Sequence, residues 1–321
     1  MTARALITGG AGFIGSHVAD LFLGNGYEVE IIDDLSSGKA TNVPESAALH
    51  RISVTSPEAA RVVGEGRFDV LVHLAAQMDV RRSVADPVFD ATTNIVGIVN
   101  LLEAVRHSGR KTRVVFTSTG GAIYGDFNKP PNIETNPKEP DSPYAISKLS
   151  SEYYLAYYGR IHGLEHVSVR FGNVYGPRQD PHGEAGVVAI FCSRILAGKP
   201  LTIFGDGEQT RDYVYVGDVA NAVWLGATFA LPRAGTVDER SFNIGTGLGT
   251  SVLEVARLLQ DAAGSNVEIK FEPPRPGELL ESFLNVEKAR TVLGWQPRVS
   301  LADGLAETFA WAEATSALQK S

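Results

Sequence analysis

The chain has 321 residues, 44% hydrophobic and 21% charged, an ordinary globular composition with length enough for one large core or two packed lobes. A formal net charge of -8 disfavours general binding to nucleic acid or to an anionic membrane surface, but leaves open an anionic ligand held by local positive charge. Cys192 is the only cysteine, which excludes an internal disulfide and a cysteine cluster for zinc and suits a reducing compartment.

Residues 3–14 are apolar but broken by Gly9, Gly10 and Gly12, so they do not read as a signal peptide. No uninterrupted apolar run reaches ~18 residues, so no membrane span is expected, and a cytoplasmic address follows by default. Residues 3–8 read as a buried strand, 14–23 as a helix stopped by Gly24 and Gly26, and 28–33 as a second strand. Further strands are expected at 69–74, 113–118 and 167–171, with long helices at 87–108 and 143–162 between them. A third strand is expected to end in residues 51–55. Near-continuous apolar strands separated by helices imply a parallel sheet covered on both faces, so the fold class is α/β: a Rossmann-type doubly wound sheet.

After Gly176 the texture changes to a Pro- and Gly-rich loop, a helix at 187–198, short strands, and helices near 253–262, 286–293 and 301–311. This predicts a dinucleotide-binding domain over 1–176 and a smaller α/β substrate lobe over 177–321. Segments within 213–245 are expected to return to the first domain.

Gly9, Gly12 and Gly15 lie between the first strand and the first helix. The first permits a tight turn, the second lets backbone approach a pyrophosphate, and the third lets helix and strand pack closely. Asp33 ends the second strand about twenty residues on, where a carboxylate can hold the adenosine ribose hydroxyls and repel a 2′-phosphate. This favours NAD over NADP, with Asp34 able to share the role or to serve only as a turn residue. Tyr144 and Lys148 are four residues apart on one predicted helical face. A free tyrosine, with pKa ~10, is a poor base at neutral pH, and a nearby ammonium favours its phenolate. Ser118 and Thr119 end the fourth strand, on the side where parallel sheets bind ligands. Either hydroxyl could relay a proton between substrate and tyrosine, or simply cap the turn that follows.

These segments, together with GGAGFIGSH from Gly9, HLAAQMDVRRSV from His73, TSTGGAIYG from Thr117, RFGNVYGPRQ from Arg170, GDGEQTRDYVYVGD from Gly205, FNIGTG from Phe242, RPGE from Arg275 and LGWQP from Leu293, resemble the UDP-glucose 4-epimerase group of the extended short-chain dehydrogenase/reductase family. The resemblance covers nearly the whole chain. It implies an NAD site lined by Phe13, Ile14, Ser37, Gly38, Leu74, Ala75, Ala76, Gln77, Asn94 and Thr117, in addition to the residues above. It implies a UDP-sugar site in which Asn173 binds the pyrophosphate, Thr202 and Phe204 pair the uracil through backbone groups, and Arg211 and Arg275 hold the diphosphate. Val187 and Val188 would belong to that site, Glu278 would take the uridine ribose, and Ser282 would gate the sugar pocket. A small residue at the gate leaves room for N-acetylhexosamines.

The implied reaction is inversion at C4 of a UDP-hexose through a 4-keto sugar, with Tyr144 moving the proton and the cofactor retained. Related dehydratases and decarboxylases carry acids just after the threonine, where this chain has Gly120 and Gly121. Other UDP- or TDP-sugar chemistry, net reduction, and a non-catalytic NAD-sensing role remain as alternatives. Family members pair the helices at 87–108 and 143–162 across a homodimer, so a homodimer is expected by analogy. No metal is implied.

Overall fold

The computed structural model of the chain describes residues 2–126, 128–182, 186–232, 235–275 and 279–318. Strand β1 (Arg4–Thr8) leads into helix α1 (Phe13–Gly24), followed by β2 (Glu28–Ile32), β3 (Ala48–His50), α2 (Pro57–Glu65) and β4 (Val70–His73). A short α3 (Val80–Ala85) precedes one long helix built from α4 (Pro87–Ala91), a π turn (Thr92–Val96) and α5 (Gly97–His107). Then come β5 (Arg113–Thr119), α6 (Pro143–His162), β6 (His166–Phe171), β7 (Asn173–Tyr175), α7 (Val187–Leu196), β8 (Leu201–Phe204), β9 (Thr210–Arg211), β10 (Tyr213–Tyr215) and α8 (Val216–Thr228). The chain ends through β11 (Ser241–Ile244), β12 (Thr250–Ser251), α9 (Val252–Ala262), β13 (Ile269–Glu272), β14 (Glu281–Ser282), a π turn (Ala289–Leu293) and α10 (Leu301–Leu318).

Seven strands form one parallel sheet in the order β11-β6-β5-β4-β1-β2-β3. Alternate side chains of each strand feed opposite layers. Ala5 and Ile7 of β1 join Val18 and Phe22 of α1 and Val219 and Val223 of α8 on one face. Leu6 joins Ile98, Leu101 and Val105 of α5 and Leu155 of α6 on the other. Burial on both faces is why β4 (VLVH) and β6 (HVSVRF) are buried at every position. The strand order reverses between β1 and β4, and the loops above those strand ends form the crevice in which such sheets bind ligands.

Among the described residues one helix, Pro87–His107, has the length and apolarity to cross a membrane. Its inner face is spent on the sheet, through Ile98, Leu101, Leu102 and Val105, so it is a core helix here. Helix α6 starts on Ser142, whose hydroxyl accepts the Ala145 N–H at 3.2 Å, with Pro143 in the first turn. It ends on Gly163 in the left-handed region.

A third cluster joins Phe191 of α7, Leu259 of α9 and Phe309 of α10 to Leu201 and Ile203 of β8, which pairs in parallel with β13. Strands β12, β9 and β14 form a small sheet of their own. The chain crosses between these layers more often than the sequence suggests. Helix α8 packs on the large sheet and β11 pairs with β6 within it, but β10 pairs with β7 outside it. Ala289, Leu293 and Trp295 also pack in the first core, with Trp295 Nε1 donating to Asp218 O at 2.9 Å. The third strand stops at His50. Residues 51–55 turn instead, with Ile52 N bonded to His50 O at 3.0 Å and Ser56 N to Ser53 O at 3.1 Å, so no sheet ladder remains for them.

Candidate active site

The turn between β1 and α1 is shaped by contacts that a side chain would break. Gly9 has φ +72°, and a Cβ there would lie 2.7 Å from Ala75 N. A Cβ on Gly15 would run into Gly9 O, and one on Gly12 would sit 3.2 Å from the same oxygen. Helix α1 begins on Gly12 with no side-chain cap and no acidic residue in its first turn, which leaves Phe13, Ile14 and Gly15 to offer backbone N–H groups to an anion.

Asp33, 8% exposed, follows β2. Its two oxygens accept Ala11 N at 3.0 Å and Leu35 N at 2.9 Å, so it braces the glycine turn. Burial raises its pKa against those bonds. A Cβ on Gly38 would meet Asp33 Oδ1 at 2.9 Å, so the segment carrying Ser37 and Gly38 lies beside this carboxylate. Asp34 is exposed and accepts Ser36 N at 2.9 Å, the arrangement of a turn residue. Glycine backbone, open helix terminus and buried carboxylate together fit a dinucleotide with a free 2′-hydroxyl.

Above β4, Leu74 N donates to Thr8 O at 3.1 Å and Ala75 N to Thr8 Oγ1 at 3.2 Å. Ala76 is half-buried beside them. Gln77 N donates to Asn94 Oδ1 at 2.8 Å, and Asn94 Nδ2 returns a bond to Gln77 O at 2.9 Å. Asn94 sits inside the π turn and is 3% exposed.

Tyr144 and Lys148 rise one turn apart on α6 against β5. Lys148 Nζ donates to Thr117 O at 2.9 Å, lies 4.9 Å from the centre of the Phe116 ring and 6.0 Å from that of Tyr144. Burial lowers the Lys148 pKa to about 8, against the opposing pull of Asp90 and Glu152. Burial raises that of Tyr144, and Asp90 raises it further. Both effects hold the Tyr144 hydroxyl in its protonated form. Thr117 Oγ1 donates to His73 O at 3.1 Å. Ser118 is 4% exposed and its hydroxyl has no partner, whereas Thr119 is half-buried at the strand's open end.

The remaining candidates come from residues 173–282. A Cβ on Gly121 would lie 3.6 Å from Asn173 Oδ1, so the turn after Thr119 faces the start of β7. Arg211 in β9 pairs in register with Ser282 in β14, and Arg211 Nη1 donates to Thr210 O at 2.8 Å. Ser282 is 6% exposed. Thr202 and Phe204 belong to β8, and the Arg275 guanidinium stacks 3.9 Å from the centre of the Phe204 ring. The Val188 side chain lies in the core with Phe191 and Ile195, and its backbone stays available to a ligand, while Val187 is half-buried. Glu278 lies outside the described residues.

Three contributors were missed in the sequence. Thr8 links β1 to the loop after β4 and accepts or donates to His73 Nδ1 at 2.7 Å. Asp212 receives Thr246 N, Thr246 Oγ1, Gly247 N and Leu284 N at 2.6–3.2 Å, and so ties the corner beside Arg211 to two other segments. Asp90, buried behind Tyr144, stands four residues before Asn94. That helical spacing was the only sequence signal among the three.

Residues 6–308 match the family described as GDP-mannose 4,6 dehydratase. The UDP-glucose 4-epimerase of Mycolicibacterium smegmatis is 46% identical over 311 residues, 95% of this chain and 97% of that one. The crystal structure of Thermotoga maritima UDP-glucose 4-epimerase with UDP-glucose has a TM-score of 0.92 at 46% identity, covering 98% of this chain and 99% of that one. Thermus thermophilus UDP-glucose 4-epimerase, solved in complex with NAD, has a TM-score of 0.88 at 46% identity, covering 96% and 98%. The chain belongs to the UDP-glucose 4-epimerase group of the extended short-chain dehydrogenase/reductase family.

Proposed function

We propose that this protein retains NAD and inverts C4 of a UDP-hexose, with UDP-glucose and UDP-galactose as the leading pair and UDP-GlcNAc and UDP-GalNAc as the next. The observation that carries the reading is the placement of Tyr144 and Lys148 at the carboxyl end of β5, across the crevice from the glycine turn. The two relatives of known structure described above, solved with UDP-glucose and with NAD, support the ligand pair.

NAD, when bound, supplies the hydride acceptor and donor and a positive ring charge near the tyrosine. Gly9, Gly12 and the first turn of α1 would hold its pyrophosphate, Asp33 its adenosine ribose, and Ala75, Ala76, Gln77 and Lys148 its nicotinamide end. Tyr144 takes the proton of the sugar 4-hydroxyl and later returns one to the 4-keto oxygen. Lys148 keeps positive charge beside the phenolate and so lowers the cost of that step. Thr119, the hydroxyl with room for a ligand, bonds the sugar oxygen, whereas Ser118 is the packed neighbour. Asn173, Arg211 and Arg275 hold the diphosphate while the keto-sugar turns, a role suited to the forked guanidinium. Gly120 and Gly121 supply no acid, which argues against water elimination or decarboxylation.

Residues 1–176, with the returning segment 213–245, form the cofactor-binding part in this reading, and the rest of 177–321 the nucleotide-sugar part. A homodimer fits a stripe of exposed apolar residues on α6, Ile146, Tyr153, Tyr157 and Ile161, flanked by Val96 of the π turn. A cytoplasmic address agrees with the single cysteine and with a nucleotide-sugar substrate.

The test is to incubate the purified protein with UDP-galactose, and separately UDP-GalNAc, without added NAD, and to resolve the products by NMR. Conversion to the C4 epimer is expected. No conversion even after NAD is supplied would overturn the reading.

A further inference from the structure

Asp90 is buried beside the Tyr144–Lys148 pair, and the proposed proton path makes no use of it. It is 1% exposed. Its Oδ2 accepts Gln77 Nε2 and Asn94 Nδ2, each at 3.1 Å, and its Oδ1 is buried with no hydrogen-bond partner. Asn94 Nδ2 also lies 3.1 Å from Ser147 Oγ, one residue before Lys148. The carboxylate thus fastens the loop after β4 to the face of α6 that carries the pair. Leaving a carboxylate oxygen buried and unmatched is costly, and such costs persist where the charge has a use.

We infer that Asp90 is a positioning residue of this reaction: it locks Gln77 and Asn94 against α6 and fixes a negative charge beside Tyr144 and Lys148. The inference rests on the reading of that pair as the proton-handling site. The other titratable groups around it are Glu152 of α6, ion-paired with Arg170, and His73 of β4, kept neutral by burial with a pKa of about 3. Asp79, whose carbonyl also accepts Gln77 Nε2, caps the neighbouring α3, which carries Arg81 and Arg82. Both are exposed, and Arg82 is stacked 4.1 Å from the centre of the Phe89 ring. The direction of the effect follows from charge. Asp90 favours the protonated form of Lys148, against burial, and also that of Tyr144. It therefore preserves the ammonium at neutral pH and defers ionisation of the tyrosine until further positive charge arrives.

The test uses Asp90→Asn in the holoenzyme. The amide oxygen can keep both accepted hydrogen bonds while the charge is lost. Both limbs of the kcat/KM pH profile are expected to move down by about one unit, with KM for UDP-galactose unchanged. A readout independent of turnover is the ultraviolet titration of Tyr144, taken as the difference between each protein and its Tyr144→Phe counterpart, which should also move down. Asp90→Ser, a smaller polar replacement, serves if the Asn protein does not fold. An unshifted profile and titration would overturn the inference, even with reduced activity, and so would the failure of both variants to fold, because either outcome leaves Asp90 a purely structural role. Full activity in Tyr144→Phe alone would instead overturn the reading of the pair itself, and the inference with it.

Discussion

Lys148 is buried, hydrogen-bonded to Thr117 O, and has a pKa lowered by burial to about 8. A lysine whose pKa lies that low loses its proton within the working range of an enzyme. As pH rises through about 8 the ammonium beside Tyr144 disappears, so kcat/KM should fall on the alkaline side with a midpoint near there. Lys148→Met should abolish that limb while depressing the rate throughout; an unchanged alkaline limb in the variant would assign it to another group. Tyr144→Phe keeps the ring and its packing and removes only the proton carrier. Its turnover should drop by about 10²–10⁴-fold, measured as epimer formation, with UDP affinity near normal. At the other end of the cofactor site, Asp33→Ala should weaken NAD and shift preference towards NADP, read as the ratio of the two dissociation constants. It should also loosen the glycine turn, because Ala11 N and Leu35 N lose their acceptor.

At the scale of elements, the motifs that were legible are those whose geometry is local. Three glycines in a strand-to-helix turn and two side chains one helical turn apart need no distant partner to be placed. The residues that were not legible owe their role to contacts far along the chain: Asp90 with Gln77, Asp212 with Thr246 and Leu284, Thr8 with Ala75. The π turn belongs to the same class. Nothing in TTNIV marks it, and it exists because Asn94 is bonded inward by Gln77 and Ser147. Helix α6 is held to β6 by a similar long-range device. Arg170, fully buried, donates to Glu152 at 2.6 and 3.0 Å, to Tyr124 OH and Glu134 O at 3.0 Å, and to Asp238 at 3.0 Å. Removing one partner strands a buried charge. Arg170→Met should therefore cost about 3–5 kcal/mol in urea unfolding, and Arg170→Met with Glu152→Leu should recover part of that loss. Additive losses in the double variant would argue against a coupled pair.

The whole molecule poses the question of what covers its longest apolar face. The sequence correctly implied a parallel α/β sheet because strands buried on both sides must be apolar throughout. It could not say which outward residues of α6 remain outward, since a helix of that composition can turn either face to the sheet. The fold decides it: Leu155 and Tyr158 face the core, while Ile146, Tyr153, Tyr157 and Ile161 remain largely exposed, the last at 63%. Their spacing of seven, four and four residues follows one side of the helix for most of its length. Removing such a stripe from water is favourable by about 25 cal/mol per Å² of apolar surface, and a second copy of the same face is a self-complementary partner. If two copies pair here, Tyr157→Glu combined with Ile161→Glu places four carboxylates in the interface and should give a monomer by analytical ultracentrifugation. Since Tyr144 and Lys148 face the sheet from the other side of the helix, away from Tyr157 and Ile161, the monomer should keep its bound cofactor and lose activity mainly through a lower thermal midpoint. A variant that stays dimeric would move the contact to another surface. A variant that becomes monomeric with unchanged stability would leave the stripe as an interface the fold does not depend on.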